Sequence, residues 1–177
     1  TESMQQMLEA AGYEIVPFAP GADIYIINTC SVTNIADRKS RQMLHKAKKM
    51  NPEAIVVAAG CYVESEKHSG GKVDDAIDIV IGNNCKKDLI DILEAYEEGN
   101  RSEAVIDINH TKEYEELTLN KTAEHTRAYV KVQDGCNQFC SYCIIPYTRG
   151  RVRSRKAQDV YEEVVRLAQA GYHEVVL

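Results

Sequence analysis

Over the first hundred residues, short apolar runs alternate with stretches whose apolar positions recur at three- and four-residue spacing. The runs 23–28 (DIYIIN), 54–59 (AIVVAA) and 77–81 (IDIVI) are nearly unbroken, the pattern of strands covered on both faces. Between them, Met4, Met7, Leu8 and Ala11 share one face of a helix over 3–11 that Gly12 stops. Residues 35–50 read as an amphipathic helix closed by Asn51-Pro52, and 86–98 as a helix ended by Gly99. Residues 64–75 are polar, contain Gly70-Gly71 and predict no definite element. A mixed, acidic stretch follows over 100–126, with one short strand at 104–108. A second pattern then begins: a strand at 128–133, a cysteine-bearing loop, a helix at 157–170 and a strand at 173–177. One βαβ unit neither closes a barrel nor covers its own sheet, so this second domain reads as incomplete.

Buried strands alternating with helices imply a parallel sheet with helices on both faces. Ligands of such sheets collect beyond the carboxyl ends of the strands. Cys30 ends the first run (Asn28-Thr29-Cys30) and Cys61 ends the second (Gly60-Cys61). The pattern therefore places two distant cysteines on one rim.

Composition adds a class. Of the 177 residues, 44% are hydrophobic and 27% charged, ordinary for a globular protein. No apolar run reaches the about 18 residues of a membrane span, and no signal-peptide pattern is present. The expected location is the cytoplasm, with no membrane partner. The chain opens on Thr1, so its native start need not be there.

A net charge of −6 argues against a general nucleic-acid binder, but the charge is segregated. No acid occurs from 136 to 156, where Arg149, Arg151, Arg153, Arg155 and Lys156 stand. Six lysines and arginines lie within 38–49, whereas 97–124 carries eight acids against three bases. Phosphates could meet the basic segments.

Cysteine spacing carries the chemistry. Cys30, Cys61 and Cys85 stand apart, while Cys136, Cys140 and Cys143 fall within eight residues (CNQFCSYC). Clustering of this kind favours a metal over disulfides. Three thiolates on one loop leave one iron of a four-iron cluster open. An open iron can bind S-adenosylmethionine, and electron transfer into the sulfonium yields a 5′-deoxyadenosyl radical. Tyr142, just before the last cysteine, is the candidate to lie beside the adenine. The alternative is structural zinc with a fourth ligand such as His125 or Cys85, but no second ligand pair is visible. The five histidines show no metal spacing, and Asp134-Gly135 reads as the turn into the loop.

Residues 126–155, TRAYVKVQDGCNQFCSYCIIPYTRGRVRSR, resemble the start of the radical domain of the methylthiotransferases. In that family QDGC, the three-cysteine loop, IIPYTRG and R-x-R-S-R form one continuous motif. The NTC of 28–30 and the GC of 60–61 resemble the same family's amino-terminal domain. The resemblance implies two 4Fe–4S clusters and S-adenosylmethionine as cofactors. Cys136, Cys140 and Cys143 would hold the radical cluster, with Arg149 and Arg151 toward the cofactor. Cys30 and Cys61 would hold the second cluster, whose third ligand in the family precedes the first helix. Cys85 lies in no ligand-bearing motif of the family and is read as a non-ligand.

The implied fold is an amino-terminal parallel-sheet domain of Rossmann or flavodoxin-like type over 1–99 and a linker over 100–126. The first βαβ unit of a radical β/α barrel follows over 127–177. The run SVTNIADRKSRQ after Cys30 is similar to the family's threonylcarbamoyladenosine group. That implies methylthiolation of tRNA in its anticodon region, with Arg38, Lys39 and Arg41 toward phosphates. An electron donor and a sulfur source are further implied partners. The alternatives are isopentenyladenosine in tRNA, a ribosomal-protein residue, or a fragment that binds iron–sulfur or zinc without catalysis.

Overall fold

The computed structural model describes residues 2–99, 103–104, 111, 114–115 and 127–177. Four parallel strands, β1 (Ile24–Thr29), β2 (Ile55–Gly60), β3 (Ile79–Ile81) and β4 (Glu103–Ala104), form one sheet in that order. β1 and β2 run in register from Ile24 opposite Ile55 to Thr29 opposite Gly60.

Side chains alternate across a strand, and in β2 both faces are buried. Val57 and Ala59 pack with Ile79 and Ile81 against Met4 and Leu8 of α1 (Glu2–Ala10) and Leu89, Ile92 and Leu93 of α4 (Leu89–Glu97). Val56 and Ala58 pack on the other side with Tyr25, Ile27, Leu44 and Ala47. Leu44 and Ala47 belong to α2 (Asn34–Met50). This two-sided burial is why the strands read as unbroken apolar runs, and each fully buried large side chain contributes about 1.5–3 kcal/mol. The expected α/β class with an amino-terminal parallel sheet is what the structure shows.

α2 is well specified at its ends. The Thr33 hydroxyl accepts from the Ala36 N–H at 3.2 Å, Asp37 sits in the first turn, and Lys48 and Lys49 sit in the last. Each complements an orphan backbone group or the helix dipole.

Several elements differ from the sequence expectation. The stretch 64–75 carries most of α3 (Cys61–Ser69). Its buried residues Cys61, Tyr62, Val63 and Glu64 are bunched in the first turn, so no helical period appears. The helix expected over 86–98 opens with a 3-10 turn, Lys86–Asp88, before α4. The strand expected over 128–133 is two strands, because its halves pair with different partners. β5 (Arg127–Tyr129) runs parallel to β8 (Glu174–Val176), while β6 (Gln133–Asp134) runs antiparallel to β7 (Arg153–Ser154). Between β6 and β7 lie the cysteine loop and a short helix, α5 (Ile145–Thr148). Of the strand expected at 104–108, residue 104 lies in β4 and 105–108 lie outside the described residues.

α6 (Ala157–Gln169) covers β5, burying Leu167 against Ala128 and Val130. Among the described residues no helix is long and apolar enough to cross a membrane.

Candidate functional site

The site begins at the sheet's carboxyl rim. Thr29 and Gly60 are register partners, so the next residues, Cys30 and Cys61, leave adjacent strands side by side. Gly60 has φ +104°, and a Cβ there would stand 2.9 Å from the Thr29 carbonyl. Only glycine takes that backbone without strain. Thr29 Oγ1 donates to the Ala59 carbonyl at 2.8 Å and accepts from the Tyr62 N–H at 3.2 Å. It thereby welds the strand end to the start of α3. The Cys30 N–H donates to Ser40 Oγ of α2 at 3.1 Å. Cys61 is buried and Cys30 half-buried. Cys85 instead packs among Ile79, Ile81, Leu89 and Leu93 in the apolar cluster under α1 and α4.

The second group of thiols hangs from the β6–β7 pair. The Cys136 N–H donates to the Gly150 carbonyl at 3.0 Å, and Asn137 Oδ1 accepts from the Val152 N–H at 3.0 Å. Gly135 has φ +78°, and any Cβ there would run into the Arg151 carbonyl. Asp134 Oδ1 accepts from the Gly135 N–H and Asp134 Oδ2 from Lys131 Nζ, so Asp134 and Gly135 do shape the turn. Inside the loop, Phe139 takes φ +48° and the Cys143 N–H donates to the Cys140 carbonyl at 2.9 Å. Cys140 is exposed, Cys136 and Cys143 are half-buried, and Tyr142 is 91% exposed.

α3, which begins at Cys61, packs on α5, which follows Cys143. His68 stacks on Tyr147 with ring centroids 4.3 Å apart, and Phe139 meets the same ring edge-on at 5.8 Å. Asn83, just beyond β3, donates to Cys61 Sγ at 3.5 Å and to the Thr148 carbonyl at 2.6 Å. Arg149 is drawn to Cys61 as well. Burial opposes its charge, but a hydrogen bond to Cys61 and the nearby Cys30 leave its pKa above the ordinary value. Lys86 reaches Asn28 Oδ1 at 3.4 Å, and burial lowers its pKa.

The arginine run divides by environment. Arg151 lies exposed over the Phe139 ring, 5.1 Å from its centroid. Arg153 is buried and donates to the Arg149 carbonyl at 2.9 Å. Arg155 is buried against Glu163. The last two arginines are thus spent inside the protein. On α2, Arg38 and Lys39 are exposed, whereas Arg41 pairs with Asp37 at 3.0 Å and Glu66 at 2.8 Å.

All six thiols are free, and thiolate is the donor that iron–sulfur clusters and zinc prefer. The chemistry of the donor set therefore fits a cluster on the 136–143 loop, whose three thiols are all at least partly accessible. Among the described residues no three His, Cys, Asp or Glu side chains converge as a ready metal cage. Asn83, Glu64 and Lys86 are site residues that sequence reasoning missed. The available signal was position: Asn83 and Lys86 follow the third strand on the rim that already carried Cys30 and Cys61.

Comparison with known proteins places these residues in context. The model of the Uncharacterized protein family UPF0004 matches residues 1–82. The Threonylcarbamoyladenosine tRNA methylthiotransferase MtaB of Aquifex aeolicus is 43% identical over 178 residues, covering 100% of this chain and 43% of that protein. The protein of the same name from Bacillus subtilis is 39% identical, covering 100% of this chain and 39% of its own length. A tRNA-2-methylthio-N(6)-dimethylallyladenosine synthase of Bacteroides thetaiotaomicron is 34% identical, covering 100% and 39%. The chain spans about two fifths of the length of the curated relatives it matches.

Proposed function

We propose that this chain, which matches methylthiotransferases along its whole length, is part of an enzyme that methylthiolates tRNA. The observation that carries this is the combination of an end-to-end match with an intact three-thiol loop. The target we assign is threonylcarbamoyladenosine at C2. Two features support it: the DRKSRQ run of 37–42 lies on α2, and relatives bearing that name share 43%, 39% and 35% identity against 34% for the dimethylallyladenosine enzyme.

In this reading Cys136, Cys140 and Cys143 hold a 4Fe–4S cluster with S-adenosylmethionine as co-substrate. When bound, that cluster supplies the electron that cleaves the sulfonium of S-adenosylmethionine. Tyr142 offers a ring for the adenine. Arg151, exposed over Phe139, presents a guanidinium edge suited to a carboxylate. Arg149, which follows the buried Thr148 at the end of α5, is the second arginine assigned to the cofactor. Cys30 and Cys61 contribute two thiolates to a second 4Fe–4S cluster that handles the sulfur. Residues 1–99 form the sulfur-handling domain, 100–126 the linker and 127–177 the opening of the radical barrel. The enzyme acts in the cytoplasm on the anticodon region of tRNA, with Arg38 and Lys39 available to phosphates, and draws on an electron donor and a sulfur source.

The test is nucleoside mass spectrometry of tRNA from a strain lacking the gene, complemented with the parent or with Cys140→Ala. The expected result is loss of methylthio-threonylcarbamoyladenosine, restored by the parent alone. Loss of methylthio-isopentenyladenosine instead would move the target to the second tRNA substrate. Unchanged tRNA nucleosides would overturn the tRNA reading. Purified parent carrying zinc and no iron after anaerobic reconstitution would replace it with a non-catalytic one.

A further inference from the structure

Cys61 is the buried member of the rim pair, and one side chain joins its sulfur to the second unit of the fold. The two N–H bonds of the Asn83 amide are divided between them: one goes to Cys61 Sγ at 3.5 Å, the other to the Thr148 carbonyl at 2.6 Å. Asn83 is 7% exposed, and its own backbone N–H donates to Glu64 Oε1 at 2.9 Å. Glu64 is itself 4% exposed and lies one helical turn beyond Cys61 on α3. Thr148, the last residue of α5, is fully buried. One buried amide therefore ties the Cys61 sulfur to the end of the cysteine-loop segment.

We propose that Asn83 is a positioning residue that fixes Cys61 Sγ and fastens the cysteine-loop unit to the sheet rim through Thr148. Glu64 sets the place of Asn83. A neutral amide suits this position because it donates twice without adding a buried charge. Removing it leaves the buried Thr148 carbonyl without its partner, the costly direction of hydrogen-bond loss. N–H donors aimed at a ligating sulfur also tune the potential of any cluster it holds. The positioning role does not depend on Cys61 being a ligand, so it stands or falls apart from the proposed function.

The test uses the full chain, purified free of iron, with alkylation by iodoacetamide followed residue by residue by mass spectrometry. A buried thiol reacts through local opening, so its rate reports how firmly the seam is closed. In Asn83→Leu and Asn83→Asp, Cys61 should react about tenfold faster, as expected for the loss of one to two net hydrogen bonds. Cys30, on the same rim but outside the reach of Asn83, should stay within about twofold of the parent, a change too small for one such bond. Glu64→Ala removes the acceptor of the Asn83 backbone N–H and should accelerate Cys61 by a smaller factor while sparing Cys30. An unchanged Cys61 rate in the Asn83 variants overturns the proposal. So does equal acceleration of Cys30 and Cys61, which marks general loosening of the fold. If neither Asn83 variant folds, the Glu64→Ala result decides in the same two ways.

Discussion

The two groups of cysteines are held in place by different physics. Cys30 and Cys61 are neighbours because parallel strands in register end on Thr29 and Gly60. Their positions are inherited from the largest core in the molecule. Cys136, Cys140 and Cys143 sit on a loop bracketed by two two-residue strands, with Cys140 exposed. The first arrangement is prebuilt and shielded, while the second stays within reach of solvent and of an incoming metal. The cores beneath them differ likewise. The amino-terminal sheet buries apolar side chains on both faces, whereas among the described residues the second unit's cluster buries Ala128, Val130 and Leu167. That unit leans on buried polar pairs instead.

The largest expected effect follows from that reliance. Arg155 and Glu163 pair with side chains 5% and 2% exposed, and Arg155 Nε is buried without a partner. Glu163→Ala would strand a guanidinium in a nearly dry position, at a cost of about 3–5 kcal/mol. The small core has little to offset it. We expect amide-exchange protection to collapse in α6 and β5 while β1, β2 and β3 remain protected. Simultaneous loss in both regions would show that they unfold as one unit and would erase the contrast.

Glycine substitutions sharpen the same contrast with a smaller effect. Gly60→Ala and Gly135→Ala each force a side chain onto left-handed backbone, at φ +104° and +78°, costing about 1–3 kcal/mol apiece. At Gly60 the added Cβ presses on the Thr29 carbonyl inside the sheet register, so the loss should appear as a lower global melting temperature. At Gly135 it presses on Arg151 in the loop's frame, so melting should barely move. Iron retained on the cysteine loop after reconstitution should fall instead. Equal melting shifts in the two variants would mean that the loop is as tightly coupled to the core as the rim is.

How much of this was legible before the structure depended on whether a residue took part in a periodic pattern. The rim position of Cys30 and Cys61 could be read because unbroken apolar runs announce parallel strands, and strand ends follow from them. α3 escaped because its buried residues are consecutive rather than spaced around a helix. The arginine run read as one basic patch, yet Arg153 and Arg155 are internal and only Arg151 is clearly exposed. Sequence marks a charge but not whether a carbonyl or a carboxylate awaits it. Asn83 and Glu64 were silent for the same reason: a buried hydrogen bond between residues nineteen apart leaves no periodic trace.

The smallest effect concerns the junction of the two units, where Tyr114 lines a cavity of about 200 Å³ with Asn83, Lys86, Lys131 and Arg155. Its hydroxyl donates to the Lys131 carbonyl at 3.1 Å. Burial pushes its pKa up to about 12, against a downward pull from Arg155 and with further upward pressure from Asp134, Glu163 and Glu115. The folded phenol thus holds its proton more tightly than the unfolded one, which titrates near 10. Its contribution to stability is complete below about pH 10 and fades as pH rises toward about 12, because there the unfolded state releases the proton first. Partial solvation of Tyr114 keeps the effect modest. Tyr114→Phe should flatten the alkaline limb of the stability curve over that window and cost about 1 kcal/mol at neutral pH for the lost hydrogen bond. Chemical denaturation at pH 8 and pH 11, read by exchange protection in β5 and β6, checks both. The same alkaline slope in parent and variant would remove Tyr114 from the junction's energetics and leave the α3–α5 packing and the Asn83 seam to join the two units.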